Sequence, residues 1–387
     1  MTLTSLGLLL LTGLIAATLP LTMVWTSSDT NKYRKLVWTT AFLIVDLIVF
    51  GAFTRLTDSG LGCPDWPGCY GMANPFLAHA QVAAAQAAMP SGPVTVGKAW
   101  IEMVHRYLAM GIGVLLLSLM VQSWRNWWKA RLPVYAPGLP TALVLFVGLQ
   151  GAFGAWTVTM KLQPVIVTTH LLLGMGLLAL VTWLGCRQDL YRQGGRVVRA
   201  GAPRWPYVLG AATLALQLAL GGWVSTNYAT LACSDFPLCN GALVPDMDFQ
   251  HGYTLWRELG KTAAGHYIPF AALTAIHWVH RHFAVVLVLV LGYAAWHART
   301  VPRLRPLARN IAIVLALQLC SGIATVYFSF PLAIAVLHNA GAALLVLLVT
   351  MLNYRSLYQI EAASPMPAQS LAHRAVSPSP VPASQQS

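Results

Sequence analysis

The stretch Glu102-Met103-Val104-His105-Arg106 heads an apolar run that continues to about Gln122. Far downstream a near-twin, His277-Trp278-Val279-His280-Arg281, heads another. Each His-Arg pair has a further histidine in the hydrophobic segments that follow, His170 and His338. Gln150 stands twenty residues before His170, and Gln318 stands twenty before His338. A histidine followed by arginine, repeated together with its partner, points to two metal or haem sites built by one duplicated unit.

Composition sets the class in which those sites lie. Of 387 residues, 57% are hydrophobic and 9% charged, where a soluble domain carries roughly 25% charged residues. Apolar runs of about 20 residues recur, each long enough to cross a hydrocarbon core of roughly 30 Å. The fold class is therefore an all-α polytopic membrane protein, and the alternating ten-residue pattern of an outer-membrane barrel is absent. The net charge of +13 does not mark a nucleic-acid binder. Its arginines gather in alternate loops: Arg187, Arg192, Arg196, Arg199 and Arg204 in one, Arg299, Arg303, Arg305 and Arg309 in another. Lys32, Arg34 and Lys35 form a third group, and Arg125, Lys129 and Arg131 a fourth. This is the positive-inside pattern, and it sets orientation in the lipid bilayer.

Nine hydrophobic segments are expected, at about 5–25, 36–56, 99–122, 139–160, 165–186, 205–227, 272–296, 307–328 and 332–354. The first lacks a preceding Lys or Arg and is read as a retained helix with its N-terminus outside. The other eight split into two sets of four. The division is an extra transmembrane segment over 1–30, an N-terminal four-helix half over 31–195 and a C-terminal four-helix half over 196–360. A Ser/Pro/Ala/Gln-rich tail over 361–387 reads as disordered.

The repeat extends beyond the histidines. Gly62-Cys63-Pro64-Asp65-Trp66-Pro67-Gly68-Cys69-Tyr70-Gly71 aligns with Ala232-Cys233-Ser234-Asp235-Phe236-Pro237-Leu238-Cys239-Asn240-Gly241, with Cys, Asp, Pro, Cys and Gly at identical offsets. Gln150, Gly154, Thr157 and Val158 match Gln318, Gly322, Thr325 and Val326. Four crossings separate the halves, so both run in the same direction. The expected architecture is two tandem four-helix bundles with pseudo-twofold symmetry about an axis near the membrane normal.

Helix counting places all four histidines roughly 8–12 Å below the outer ends of their segments. Two imidazoles facing each other at one level suit the two axial positions of a porphyrin iron. Zinc needs a third or fourth ligand, and segments 5 and 9 offer no Cys or carboxylate set. Arg106 and Arg281 are candidate propionate partners, because a guanidinium meets a carboxylate in a two-point fork; snorkelling to headgroups is the plain alternative. Glu102 stands one turn before His105, where the second half has His277. That difference suits one half to reaction, with Glu102 moving protons, and the other to electron transfer. The cysteine pairs lie in outer loops, where a disulfide persists; their spacing permits a bridge without proving one, and zinc on four cysteines and a redox-active first pair both stay open. Cys186 and Cys320 read as small apolar fillers, and Asp46 as a buried acid with no role assigned.

The run Gly51-Ala52-Phe53-Thr54-Arg55-Leu56-Thr57-Asp58-Ser59-Gly60-Leu61-Gly62-Cys63-Pro64-Asp65-Trp66-Pro67 resembles the first-loop signature of the haem A synthase family. Glu102, His105-Arg106, His170, His280-Arg281 and His338 match that family's acidic and haem-ligand positions, and the resemblance covers about 35–355. It implies an eight-helix inner (plasma) membrane protein of a bacterium, with the cysteine loops outside. The implied activity is oxidation of the C8 methyl of haem O to a formyl group, giving haem A for cytochrome oxidase. It also implies haem b held by His280 and His338, substrate haem near His105 and His170 with Glu102 assisting, and disulfides Cys63–Cys69 and Cys233–Cys239. A haem O synthase and an electron donor are the implied partners. Segment 5–25 is an addition to the family's eight, and the sequence leaves open whether the chain forms a homo-oligomer.

The rival reading is a non-catalytic di-haem cytochrome that passes electrons from quinol to a partner. It accounts for four histidines and two haems, but gives no reason for Glu102 in one half alone. A transporter built from parallel repeats accounts for the duplication and not for the histidines or the cysteine loops.

Overall fold

The computed structural model describes residues 2–361 apart from 195 and 202. The tail expected over 361–387 lies outside the described residues but for Glu361. The main chain is helical: α1 (Leu3–Thr26), α2 (Lys32–Leu56), α3 (His79–Ala88), α4 (Val96–Ala130), α5 (Gly138–Thr159) and α6 (Pro164–Arg192) are followed by β1 (Arg196–Arg199). Then come α7 (Trp205–Thr226), α8 (Phe249–Gly252), α9 (Phe270–Ala298), α10 (Arg305–Tyr327), α11 (Leu332–Leu357) and β2 (Tyr358–Glu361). Nine of these helices, among the described residues, are long and apolar enough to cross a membrane. They are the nine expected segments, most of them extended at one or both ends. The chain is a multi-pass membrane protein.

Local chemistry sets the helix starts. Asn31 and Thr95 turn their side chains onto the backbone N–H of Arg34 and Lys98, at 2.9 and 3.2 Å, and so cap α2 and α4. Pro164 opens α6, where a missing N–H costs nothing. The α5–α6 turn places Lys161 and Leu162 at φ of 50° and 58°, and the α10–α11 turn repeats this with Ser329 and Phe330 at 54° and 64°. The two turns are copies of one another.

Helices α2, α4, α5 and α6 pack in a closed ring in which α2 touches α4, α4 touches α5, α5 touches α6 and α6 returns to α2. Helices α7, α9, α10 and α11 form a ring of the same order. Contacts between the rings run α2 to α11, α6 to α7 and α6 to α11. Exchanging the halves turns the first of these into the second and leaves the third unchanged, as an isologous interface does. At the end carrying the cysteine loops, Arg55 donates to the Ser225 carbonyl at 2.6 Å and lies over the Tyr228 ring at 3.9 Å. Tyr228 in turn donates to Asp58 at 2.7 Å. At the other end Arg34 and Asp189 join α2 to α6 at 2.5 Å.

The main packed core is confined to the arginine-rich end. Leu36 and Ile44 of α2, Leu115 and Leu119 of α4, Leu178 of α6 and Leu291 of α9 belong to it, all nearly inaccessible. Toward the cysteine loops the rings loosen: every residue over 47–53 of α2, 217–221 of α7 and 338–342 of α11 is only half-buried. Without water to drive apolar association, membrane helices close up through small residues and shape fit. Here Gly185 of α6 receives the Trp38 ring of α2. Helix α1 lies outside both rings, against α4 and α2. A Cβ on Gly13 would come 2.9 Å from Met110 Cβ, and one on Gly111 would come 3.1 Å from Ala16 Cβ, so the α1–α4 crossing depends on glycine from both sides.

Three expectations need amendment. Asp46 is exposed on the outer face of α2 rather than buried, and Cys320 is exposed on α10 while Cys186 is buried as expected. The chain also stays regular past α11, since β2 pairs antiparallel with β1, Arg196 opposite Glu361 and Arg199 opposite Tyr358. Four-residue strands joined across 160 residues carry no sequence pattern that would announce them.

Candidate functional site

Each ring brings its two histidines in from opposite corners. His105 on α4 and His170 on α6 stand on opposite helices of the first ring, and His280 on α9 and His338 on α11 on opposite helices of the second. In neither case do the two helices pack side by side. Helices α4 and α9 begin earlier than expected, so the distance from helix start to histidine is about 14, 9, 15 and 9 Å in chain order at 1.5 Å per residue. Helix starts are therefore not one plane, although the pair of values recurs in the second half.

Every one of the four rings rests on a glycine of the preceding long helix. A Cβ on Gly51 would lie 2.9 Å from His105 Cε1, and one on Gly221 would lie 2.9 Å from His280 Cε1. On Gly154 and Gly322 the distances to His170 and His338 are 3.1 and 3.2 Å. Gln150 donates to the His170 carbonyl at 3.1 Å, Gln318 to the His338 carbonyl at 2.9 Å and Gln217 to the His280 carbonyl at 3.1 Å. The matched Gln150 and Gln318 of the repeat thus hold the histidine helices at the level of the ring.

Although they lie within membrane helices, the four histidines are half-buried. Cε1 is against glycine, and Nδ1 is either buried, in His105 and His170, or hydrogen-bonded, in His280 and His338. The free edge of each ring is therefore the one with Nε2. For His338 the tautomer follows from its neighbour. Ser321 Oγ donates to the Gln318 carbonyl at 2.9 Å, so it accepts from His338 Nδ1–H at 2.9 Å. Nε2 is left with a lone pair, the state an iron ligand requires. Among the described residues no three His, Cys, Asp or Glu side chains come together, which fits two-histidine axial sites and not a three- or four-ligand protein cage.

Above each ring sits a cysteine loop. Cys63 and Cys69 are bonded, as are Cys233 and Cys239, which removes the four-cysteine zinc alternative. Asp65 accepts from the backbone of Tyr70 and Gly71, both at 2.6 Å. Asp235 accepts from Asn240 and Gly241 at 2.5 and 2.9 Å. Gly71 and Gly241 adopt φ of 73° and 82°, a conformation glycine reaches at no steric cost. The Gly241 and Asn240 N–H groups, with the Arg281 charge nearby, hold the Asp235 carboxyl below the usual carboxylate range.

Glu102 and Arg106 tie the first loop to α4. Glu102 Oε2 accepts from Cys63 N–H at 2.7 Å, and Oε1 receives Arg106 at 2.5 Å. Arg106 also donates to the carbonyls of Asp65, Pro67 and Gly68 at 2.9, 3.2 and 2.5 Å. Both terminal nitrogens of Arg106 are thus committed to protein, and the residue is buried rather than snorkelling. In the second half His277 Nδ1 accepts from Cys233 N–H at 3.2 Å. Arg281 donates through one terminal nitrogen to the Asp235 and Leu238 carbonyls at 2.9 and 3.1 Å. Its other terminal nitrogen, Nη1, is buried without a partner among the described residues. Of the two arginines, Arg281 is the one with a terminal donor to spare.

Residues 34–350 match the model of the cytochrome oxidase assembly protein family COX15-CtaA. The chain belongs to this family. Its COX15-CtaA relatives include the heme A synthase of Shewanella oneidensis, 37% identical over 317 residues that make up 80% of this chain and 92% of the relative. A heme A synthase of Caulobacter sp. is 30% identical over 342 residues (81% and 93%), and one of Erythrobacter litoralis is 31% identical over 334 residues (80% and 93%). The match begins after α1, which stands ahead of the family region, and it takes in both histidine rings and both cysteine loops.

Sequence reasoning missed the glycine seats, the Nδ1 partners and the anchoring of the cysteine loops by Glu102 and His277. Gly154 and Gly322 were visible as repeat matches. The others carried no signal, because a glycine in a membrane helix is common and a Gln or Ser one turn away has many uses.

Proposed function

We propose that this chain is a haem A synthase, oxidising the C8 methyl of haem O to a formyl group. The observation that carries the reading is a duplicated two-histidine site, with every ring offering Nε2, in a chain whose relatives are named for that activity. Two hydroxylations of the methyl followed by loss of water from the geminal diol give the formyl group. In this reading His280 and His338 hold haem b, which supplies an electron relay when bound. His105 and His170 position the substrate haem, and the half-exposed upper part of the first ring admits it from the bilayer. Glu102 fixes the loop over that site and is the acidic group nearest to it in sequence. Arg281, with its spare Nη1, is the candidate propionate partner; Arg106 acts through the loop instead. The chain lies in the bacterial inner membrane with the cysteine loops on the outer side, receives haem O from a haem O synthase and takes electrons from a separate donor.

The test is chromatography of haem extracted from cells making this chain with a haem O synthase, with Glu102→Ala in parallel. Haem A or its hydroxylated precursor, formed only with the intact protein, is the expected result. Haem O left unconverted while haem b stays bound and reducible would point to the electron-transfer cytochrome instead.

A further inference from the structure

The two rings share their glycine seats but differ in what touches Nδ1. In the second half both imidazoles have a polar partner: Ser321 at 2.9 Å from His338 Nδ1 and Gln217 at 3.2 Å from His280 Nδ1. In the first half neither does, and the Nδ1 atoms of His105 and His170 are buried with no hydrogen bond among the described residues. The register explains the difference. Ser321 immediately precedes the seat Gly322, and the residue preceding Gly154 is Phe153. Gln217 lies four before Gly221, and the residue four before Gly51 is Leu47. A duplicated unit has thus kept the histidines, the glycines and the pair Gln150 and Gln318, while Ser321 and Gln217 give way to Phe153 and Leu47 in the first copy.

An imidazole that gives its Nδ1–H to an acceptor is fixed in orientation and becomes a more basic ligand at Nε2; losing such a partner typically weakens metal affinity about 10–100-fold. Ser321 is placed as that acceptor, because its own proton goes to Gln318. Gln217 touches His280 Nδ1 through the amide nitrogen that donates to the His280 carbonyl, so it holds the helix and supplies no acceptor for Nδ1–H. In the first half neither ring has an acceptor at Nδ1 among the described residues.

We propose that Ser321 is a positioning residue that makes the C-terminal site a permanent haem holder, and that Phe153 at the equivalent place keeps the N-terminal site exchangeable, so that haem can enter and leave. The proposal rests on the reading that both rings bind haem through histidine.

The experiment uses the purified full chain and follows transfer of its haem b to apomyoglobin, together with the reduction potential and low-spin electron paramagnetic resonance of the bound haem. Ser321→Ala is expected to speed haem loss about ten-fold or more, to raise the potential and to shift the resonance. Ser321→Thr, which keeps the hydroxyl, should restore the slow rate and show that a fast variant has not merely misfolded. Installing the hydroxyl in the first half, with Phe153→Ser, should slow exchange there. An unchanged rate, potential and spectrum in Ser321→Ala, in a protein from which His338→Ala strips haem b, would overturn the proposal and leave the site reading standing. Full haem retention in His338→Ala would overturn the site reading itself, and the proposal with it.

Discussion

A methyl group in the wrong place is enough to disturb one of these rings. Gly221→Ala would put a Cβ 2.9 Å from His280 Cε1, and the imidazole would have to move by a few tenths of an ångström. Overpacking of this kind costs about 1–3 kcal/mol, so haem b per purified chain should fall, measured as the pyridine haemochromogen. Gly292→Ala on α9, the helix that carries His280, has open space around it and should match the unaltered protein. Glu102 makes a second case at this scale. Removing one member of a buried ion pair costs about 3–5 kcal/mol, and Glu102→Ala would also leave Cys63 N–H without its acceptor. Its apparent melting temperature in detergent should fall well below that of Glu102→Gln, which retains an acceptor; equal melting of the two would contradict the anchoring role. The histidines and Glu102 could be read in the sequence because ionisable groups in apolar runs are rare. Their supports could not, since nothing in Gly51, Gly221 or Ser321 distinguishes a ring contact from ordinary helix packing.

The cysteine loops are small elements whose stability can be taken apart. A bridge closing six or seven residues contributes about 2 kcal/mol in the chain-entropy account, so reduction should lower the melting temperature and expose the loop backbone to hydrogen exchange. The second loop carries a pH signature. Asp235 is held below its ordinary value, so its hydrogen bonds to Asn240 and Gly241 contribute fully above the usual carboxylate range. They are lost as pH falls through the lowered value. Amide protection at Gly241, normalised for intrinsic exchange, should therefore persist through mild acid and then collapse, and Asp235→Ala should abolish it at every pH. Protection that ignores both changes would show the loop to be held by its bridge alone. The aligned cysteines, aspartates and glycines made these loops visible as a repeat, and the resemblance implied the bridges. The tie from Glu102 to Cys63 was illegible because it joins residues 39 apart through a backbone N–H.

At the scale of the molecule, the nine spans and the division into two sets of four follow from apolar runs and loop charge, since a membrane leaves a chain of this composition few other solutions. Ring order and the inter-ring contacts needed the structure, because they depend on which side of each helix is small. Helix α1 touches only the outside of the first ring, so Gly111→Leu should detach it from α4 while both histidine sites survive. Crosslinking between cysteines placed on α1 and α4 should be lost, with haem content unchanged; loss of haem would mean that α1 helps to shape the first ring. The strand pair β1–β2 has a wider meaning. It joins the segment entering the second half to the segment leaving it, with Ala200 N–H reaching the Leu357 carbonyl at 2.9 Å. The second half is thereby a cassette whose entrance and exit are adjacent. A gene segment encoding such a unit can be copied in tandem or reopened elsewhere without stretching the polypeptide, which is the property a protein needs if it is to arise by doubling and then let one copy change its trade.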